Sequence, residues 1–465
     1  MRRLLWFPLL LIAISLFGAE PARGKLVENV AALSDATQTY TLYLPASYDP
    51  AHAYPLLFVF DPRSRGTVAA EIFRPAAEEY GWILISSNQT RSDDDGAPNA
   101  RALKALLPES ARYAIDPKRI YAAGFSGTAM LSWAIGVNTG GLAGVIGVGG
   151  RLVEHIPPAK FSFAHYGFSG DSDFNNREMR LVDAELEKAG KAHRFETFAG
   201  DHRWIGPELA RDAVGWLEVE AMKEGRRGRD EALIGRRYAA DLARAKALET
   251  DGKGPEALRR YRAIAATYDG LIPLAAAGAQ VTRLQADPAV KKALKEEAAA
   301  DSYEQRYRRE VLGSIPSLLG AAQQAHETPT AAGLARDLQV GDLKRRAAHD
   351  TYDGAAARRL LESLFAQTAF YMMRDLMGRH EYPLAAAVLG VATEIHPDRW
   401  PPWYNLGAAY ARAGDRRRSL DALEKAIAAG FHDAAGLAAD EDYAGVRGEE
   451  RYRQLTGKIE ATPSS

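Results

Sequence analysis

Gly124-Phe125-Ser126-Gly127-Thr128 follows a short apolar run and precedes alanine- and leucine-rich sequence. A serine between small residues on a strand-to-helix turn can be held in a strained conformation with its hydroxyl exposed, as a nucleophile requires. The pattern departs from G-x-S-x-G at its last position, where Thr128 stands for glycine. Taken by itself, the stretch also fits a serine in a glycine-rich turn.

Two later segments hold the partners that such a serine would need. "YGFSGDSDFNNREM" places Asp171 and Asp173 in the turn after an apolar run, and "ETFAGDHRW" places His202 in a turn after the β-like run "HRFETF". A histidine can take the proton of an attacking hydroxyl and pass it to the leaving group, while a carboxylate orients the ring and stabilises its cation. Of the two aspartates, the one not so used reads as a turn-capping carboxylate. His155, His165 and His193 are the other histidines of this region after the serine; His165 falls inside a predicted strand, where a core role fits better.

The elements that must position these residues are legible as alternating runs. "PLLFVF" (Pro55 to Phe60), "GWILISS", "RIYAAG", "LAGVIGVGG" and "FSFAHYGF" read as strands buried on both faces, and "TYTLYLP" (Thr39 to Pro45) as an edge strand. Helical patterns lie between them, at Thr67 to Tyr80, Ala97 to Tyr113, Thr128 to Asn138 and Arg177 to Ala189. Such alternation predicts an α/β fold, a doubly wound and mostly parallel sheet over residues 27–220. Serine, aspartate and histidine then all fall at the C-terminal ends of strands, where open α/β sheets bind ligands.

Around "KEGRRGRDE" (Lys223 to Glu231) the composition shifts to Ala, Leu, Arg and Glu. This predicts a linker over 221–236, a helical region over 237–365 and repeats over 366–460. "WYNLGAAYARAGDRRRSLDALEKAIAAGF" carries Trp403, Leu406, Gly407, Tyr410, Leu423 and Ala426, and resembles the tetratricopeptide consensus. One 34-residue period earlier stand Met372, Leu376, Ala385, Leu389, Ala392 and Pro397. Large residues of such a repeat pack between two helices and small ones let them approach. The resemblance implies an all-α, helical-repeat domain suited to a protein partner.

At the N-terminus, Arg2 and Arg3 precede an apolar run from Leu4 to Phe17, then Gly18 and Ala19. The run is short for a bilayer span, which needs about 20 apolar residues, and suits a secretory leader over 1–24. An exported protein, periplasmic or extracellular, is expected, with membrane attachment only if the leader stays uncleaved. Lys+Arg 59 against Asp+Glu 60 gives a net charge of -1, which argues against a nucleic-acid partner. Cys 0 excludes disulfides and thiolate chemistry. No zincin, Walker or dinucleotide pattern is present, and "RSDDDG" lacks the ligand spacing of a calcium hand, so no metal and no cofactor is expected. Trp133, Trp204 and Trp216 read as core or pocket lining.

Residues 27–220 resemble the α/β-hydrolase superfamily, in particular bacterial esterases of the polyhydroxybutyrate-depolymerase and feruloyl-esterase types. The resemblance rests on "YTLYLPASYDPAHAYPLLFVF", on "ARYAIDPKRIYAAGFSGTAM" and on "FAGDHRW". It implies a serine ester hydrolase with Ser126 as nucleophile, His202 as base and, from Gly170-Asp171-Ser172-Asp173, Asp173 as acid, with Asp171 as the alternative. It also implies an oxyanion hole formed by the Gly127 N–H and an N–H of the loop after "LLFVF". That loop reads Asp61-Pro62-Arg63 where the family often has His-Gly; Pro62 has no N–H, so Arg63 or Ser64 is expected to donate. Asp61 would bind a polar group of the substrate or cap the following turn. The departures at Thr128 and Asp61-Pro62 leave two other readings: an inactive hydrolase-like scaffold that binds partners through its repeats, or a peptidase using the same residues.

Overall fold

The computed structural model describes residues 22–92, 96–324 and 327–460. The leader expected over 1–24 lies almost wholly outside these residues, and the acidic run at 93–95 lies outside them too. Among the described residues no helix is long and apolar enough to cross a membrane.

Eight strands form one sheet in the order β1-β2-β4-β3-β5-β6-β7-β8. They are β1 (Leu26–Ala31), β2 (Thr39–Tyr43), β3 (Tyr54–Phe60), β4 (Ile83–Ser87), β5 (Ile115–Phe125), β6 (Gly144–Val148), β7 (Ala164–Gly170) and β8 (His193–Phe198). β1–β2 and β2–β4 pair antiparallel, and every other neighbouring pair is parallel. The doubly wound, mostly parallel sheet expected from the alternating runs is therefore present. Its strands read as unbroken apolar runs because each face is covered. Leu57 and Val59 of β3 pack with α1 (Gly66–Tyr80) and α5 (Pro207–Lys223). Leu56, Phe58 and Phe60 turn to the opposite face, with α3 (Gly127–Thr139) and α4 (Asn176–Lys188). Burying a side chain of this size contributes about 1.5–3 kcal/mol, so a run of six holds its strand at the centre of the sheet.

Two local expectations fail for identifiable reasons. β2 is not an edge strand: β1 pairs outside it and leaves four of its five residues buried. The helix expected through Tyr113 stops at Leu106 (α2, Ala97–Leu106), and a 3₁₀ turn over Leu107–Arg112 follows. Pro108 lacks the N–H that a continuing α-helix would use.

After α5 a short turn leads directly into α6 (Glu231–Thr250), followed by α7 (Gly254–Tyr268), α8 (Ala275–Ala286) and α9 (Pro288–Glu310). The charged stretch between α5 and α6 is braced, not loose: Arg227 pairs with the buried Glu218, and Asp230 caps α6 through Leu233 N–H at 2.9 Å. Arg194 of β8 donates to both Asp241 carboxylate oxygens in α6, at 3.1 and 2.7 Å, and Arg260 of α7 reaches the same Asp241 at 2.7 Å. The helical region is thus joined to the sheet by buried ion pairs. Farther on, helices Tyr382–Ile395 and Arg416–Ala428 begin one 34-residue period apart. Helix Trp400–Arg412 packs on Arg416–Ala428 at Gly407, where a Cβ would lie 3.1 Å from the Ser419 carbonyl.

Candidate active site

The strand β5 delivers its chain into α3 through a single residue, Ser126, at φ 55° and ψ -126°. Non-glycine residues rarely adopt positive φ, and holding one there costs on the order of 1–3 kcal/mol. The turn is over-determined by its surroundings. Ser126 N–H donates to Val148 O at the end of β6 at 2.8 Å, and Ala129 N–H returns to Ser126 O at 3.0 Å. Gly124 must be glycine, since a Cβ there would meet Thr128 O at 2.1 Å, and a Cβ on Gly127 would meet Ser92 Cβ at 2.4 Å.

Thr128, the departure from the motif, is fully buried and takes part in the turn. Its hydroxyl accepts from Phe125 N–H at 3.1 Å and lies 2.6 Å from Phe60 O and 2.8 Å from Phe125 O, either of which takes its proton. One side chain therefore ties the end of β3 to the end of β5. A glycine would leave these buried backbone groups without that partner.

Ser126 Oγ lies 2.9 Å from His202 Nε2, and His202 Nδ1 lies 2.9 Å from Asp173 Oδ1. With a carboxylate on Nδ1, the ring carries its proton there and Nε2 is left to accept the serine hydroxyl. Asp173 is fully buried, and its Oδ1 also accepts from Asn175 N–H at 2.7 Å. Asp173 Oδ2 has no hydrogen-bond partner among the described residues. It faces Gly149, which sits at φ 54° and where a Cβ would come within 2.7 Å of Oδ2 and 3.1 Å of His202 Cε1. The imidazole is flanked by Phe125 and Phe174, with ring centroids at 4.5 and 4.2 Å.

Asp171 does not reach His202. Its Oδ1 accepts from Gly200 N–H at 3.1 Å, which ties the aspartate turn to the histidine turn. His165 is a core residue: it accepts from Trp133 Nε1 at 3.1 Å, and burial pushes its pKa down to about 3. Trp216 donates to Thr267 at 3.1 Å, away from the serine. Among the described residues no cluster of His, Cys, Asp and Glu has the makings of a metal site.

The loop after β3 differs from the expectation set out above. Arg63 N–H donates to Asp61 Oδ1 at 2.8 Å, and Ser64 N–H donates to Thr90 O at 2.9 Å. Neither amide is available to an oxyanion, and Arg63 is withdrawn as a donor. For Arg63 the cause is Asp61, whose carboxylate caps the turn it begins. It is fully buried, takes Arg65 bidentately at 3.1 and 3.0 Å, and accepts Trp204 Nε1 at 2.9 Å. Asp61 is thereby a turn cap with its valences filled, and not a substrate ligand. The remaining expected donor, Gly127 N–H, stands in the first turn of α3, where helix amides have no intrahelical acceptor. Phe174, Gly149 and Asn175 are site residues that pattern alone did not single out; only Asn175, two residues beyond Asp173, carried an Asx-turn signal.

The mostly parallel sheet of eight strands thus carries a serine on the turn after the fifth strand and an aspartate and a histidine after the seventh and eighth, an α/β arrangement with all three at one end of the sheet. Comparisons with solved structures find chains of related description. A thermostable esterase aligns with 42% of this chain and 62% of its own, at 15% identity and TM-score 0.35. A ferulic acid esterase aligns over 42% of this chain and 97% of its own, at 15% identity and TM-score 0.34. Staphylococcus aureus FphF, a fluorophosphonate-binding serine hydrolase, aligns over 42% and 97%, at 13% identity and TM-score 0.35. This chain thus spans less than two thirds of the length of the first of these. No protein-family profile and no curated protein sequence matches the chain.

Proposed function

We propose that the protein is a serine hydrolase that cleaves carboxylic esters through an acyl-enzyme, with Ser126, His202 and Asp173 as its catalytic triad. The observation that carries this reading is the unbroken line of hydrogen bonds from Ser126 Oγ to His202 Nε2 and from His202 Nδ1 to Asp173 Oδ1, each 2.9 Å. In the acylation step His202 Nε2 takes the serine proton as Oγ bonds to the carbonyl carbon. The resulting imidazolium is held by Asp173 and gives that proton to the leaving alcohol as the C–O bond breaks. Water, activated by the same nitrogen, then releases the acid and restores Ser126. The oxyanion is met by Gly127 N–H at the N-terminus of α3, where the helix dipole adds to the hydrogen bond.

The relay is fully assembled, which favours an enzyme over an inactive scaffold. The helical region, with its 34-residue spacing, is proposed as a tetratricopeptide-like protein-binding unit. The Arg2-Arg3 leader supports an exported location, tested by the mass of the N-terminus of the mature protein. The function is tested by hydrolysis of a short-chain p-nitrophenyl ester: Ser126→Ala is expected to abolish it, and persistence in that variant would refute the proposal.

A further inference from the structure

The turn that carries Asp173 is held from outside the sheet. Arg308 of α9 donates from Nη2 to Phe174 O at 2.8 Å, and Arg359 of helix Tyr352–Ala366 reaches Asp171 O from Nη1 at 3.5 Å. Both guanidiniums are aimed by one carboxylate. Glu304, fully buried in α9, accepts Arg308 Nε and Nη2 on Oε1 at 3.2 and 3.0 Å, and Arg359 Nε and Nη2 on Oε2 at 2.9 and 2.7 Å. On the histidine side, Arg399 approaches the Asp201 carboxylate at 3.3 Å, one residue before His202.

Resting on the reading of Ser126, His202 and Asp173 as a triad, we propose that the helical region completes the catalytic centre. Arg308 and Arg359, aimed by Glu304, are positioning residues that hold the 171–174 turn so that Asp173 stays on His202. The Asp173 carboxylate itself has one partner besides His202, the Asn175 N–H on Oδ1 at 2.7 Å, and its Oδ2 has none among the described residues. Phe174 doubles the effect: its carbonyl takes Arg308 while its ring lies on the imidazole. Releasing the carbonyl therefore frees the carboxylate and the ring wall together, and a displacement near 1 Å at a catalytic group can cost about 100-fold in rate.

The test uses the full chain. Arg308→Ala is expected to lower kcat about 10- to 100-fold with KM changed less than about threefold. Arg308→Lys, which keeps a donor and a charge, is expected to recover part of the loss. An activity-independent readout is the low-field proton resonance of the Asp173–His202 hydrogen bond, expected to weaken or move in Arg308→Ala. Arg244→Ala is the control, because Arg244 bridges the same two regions at Asp212, 2.5 Å away, without touching either turn. Wild-type kcat and resonance in Arg308→Ala, or equal losses in Arg244→Ala, would overturn the proposal. Should Arg308→Ala not fold, Glu304→Gln, which loosens both guanidiniums, enters the same comparison with the same criteria. A wild-type protein without esterase activity, but with a resonance that depends on Arg308, would reject the hydrolase reading and keep the positioning role.

Discussion

The turns that end β3 and β5 are neighbours in the sheet, and both depart from the sequence pattern expected of them. At the end of β5, Thr128 sends a hydroxyl to the carbonyls of Phe60 and Phe125. At the end of β3, Asp61 sends a carboxylate to the amides of Arg63 and Arg65, at 2.8 and 3.3 Å. The two residues differ in what they consume. A hydroxyl that gives its proton to carbonyls leaves the Gly127 amide for a developing anion, whereas a carboxylate is acceptor only and takes the Arg63 N–H that was expected to serve one. On the proposed reading, the β5 turn carries the chemistry and the β3 turn supports it.

Breaking the β5 turn is expected to have the largest effect. Ser126→Ala should reduce kcat on the order of 10⁴-fold or more, read as ester hydrolysis, with the melting temperature little changed. Thr128→Val keeps the shape and removes the hydroxyl, leaving Phe60 O and Phe125 N–H buried without that partner. A stability loss of about 1–3 kcal/mol is expected from urea unfolding, together with a smaller fall in kcat than Ser126→Ala produces. Asp61→Asn sharpens the contrast from the other side. It keeps an acceptor for the Arg63 amide but loses the charge that holds Arg65 and Trp204, so stability should fall by about 1–3 kcal/mol while kcat is little changed. A large kcat loss in Asp61→Asn would assign the β3 turn a chemical role and erase the distinction.

Near neutral pH the smallest effect is expected at the junction with the helical region. Burial would raise Asp241, but the guanidiniums of Arg194 and Arg260 outweigh it and hold its pKa down to about 2. A carboxylate lower in the folded than in the unfolded chain contributes stability above its unfolded value, about 3.9, and loses it as pH falls through the folded value. Unfolding midpoints should therefore be insensitive to this group at neutral pH and fall between about pH 4 and about pH 2. Asp241→Asn should flatten that part of the profile.

The sheet was largely legible because its strands are buried on both faces, so that "PLLFVF" and "RIYAAG" stand out as apolar runs. β2 was misplaced at the edge because its partner β1, with three of six residues exposed, carries a weak apolar signal. Ser126 and His202 were legible from their order and their turns, whereas Asp171 and Asp173 share one turn and only the resemblance favoured Asp173. The role of Thr128 was not, since its acceptor Phe60 lies 68 residues away and only the sheet brings them together. The Arg63 expectation failed against a local signal that was present: an aspartate that begins a turn accepts the amide two residues on. Arg308 and Arg359 carried no signal at all, because their contacts with the aspartate turn span 134 and 188 residues.

The central claim, that His202 activates Ser126 for attack, is tested most directly by fluorophosphonate labelling followed by intact mass and peptide mapping. One adduct on Ser126 is expected in the wild-type protein, none in Ser126→Ala, and labelling slowed on the order of 10³-fold or more in His202→Ala. No adduct on the folded wild-type protein, or an adduct that persists in Ser126→Ala, would contradict the account.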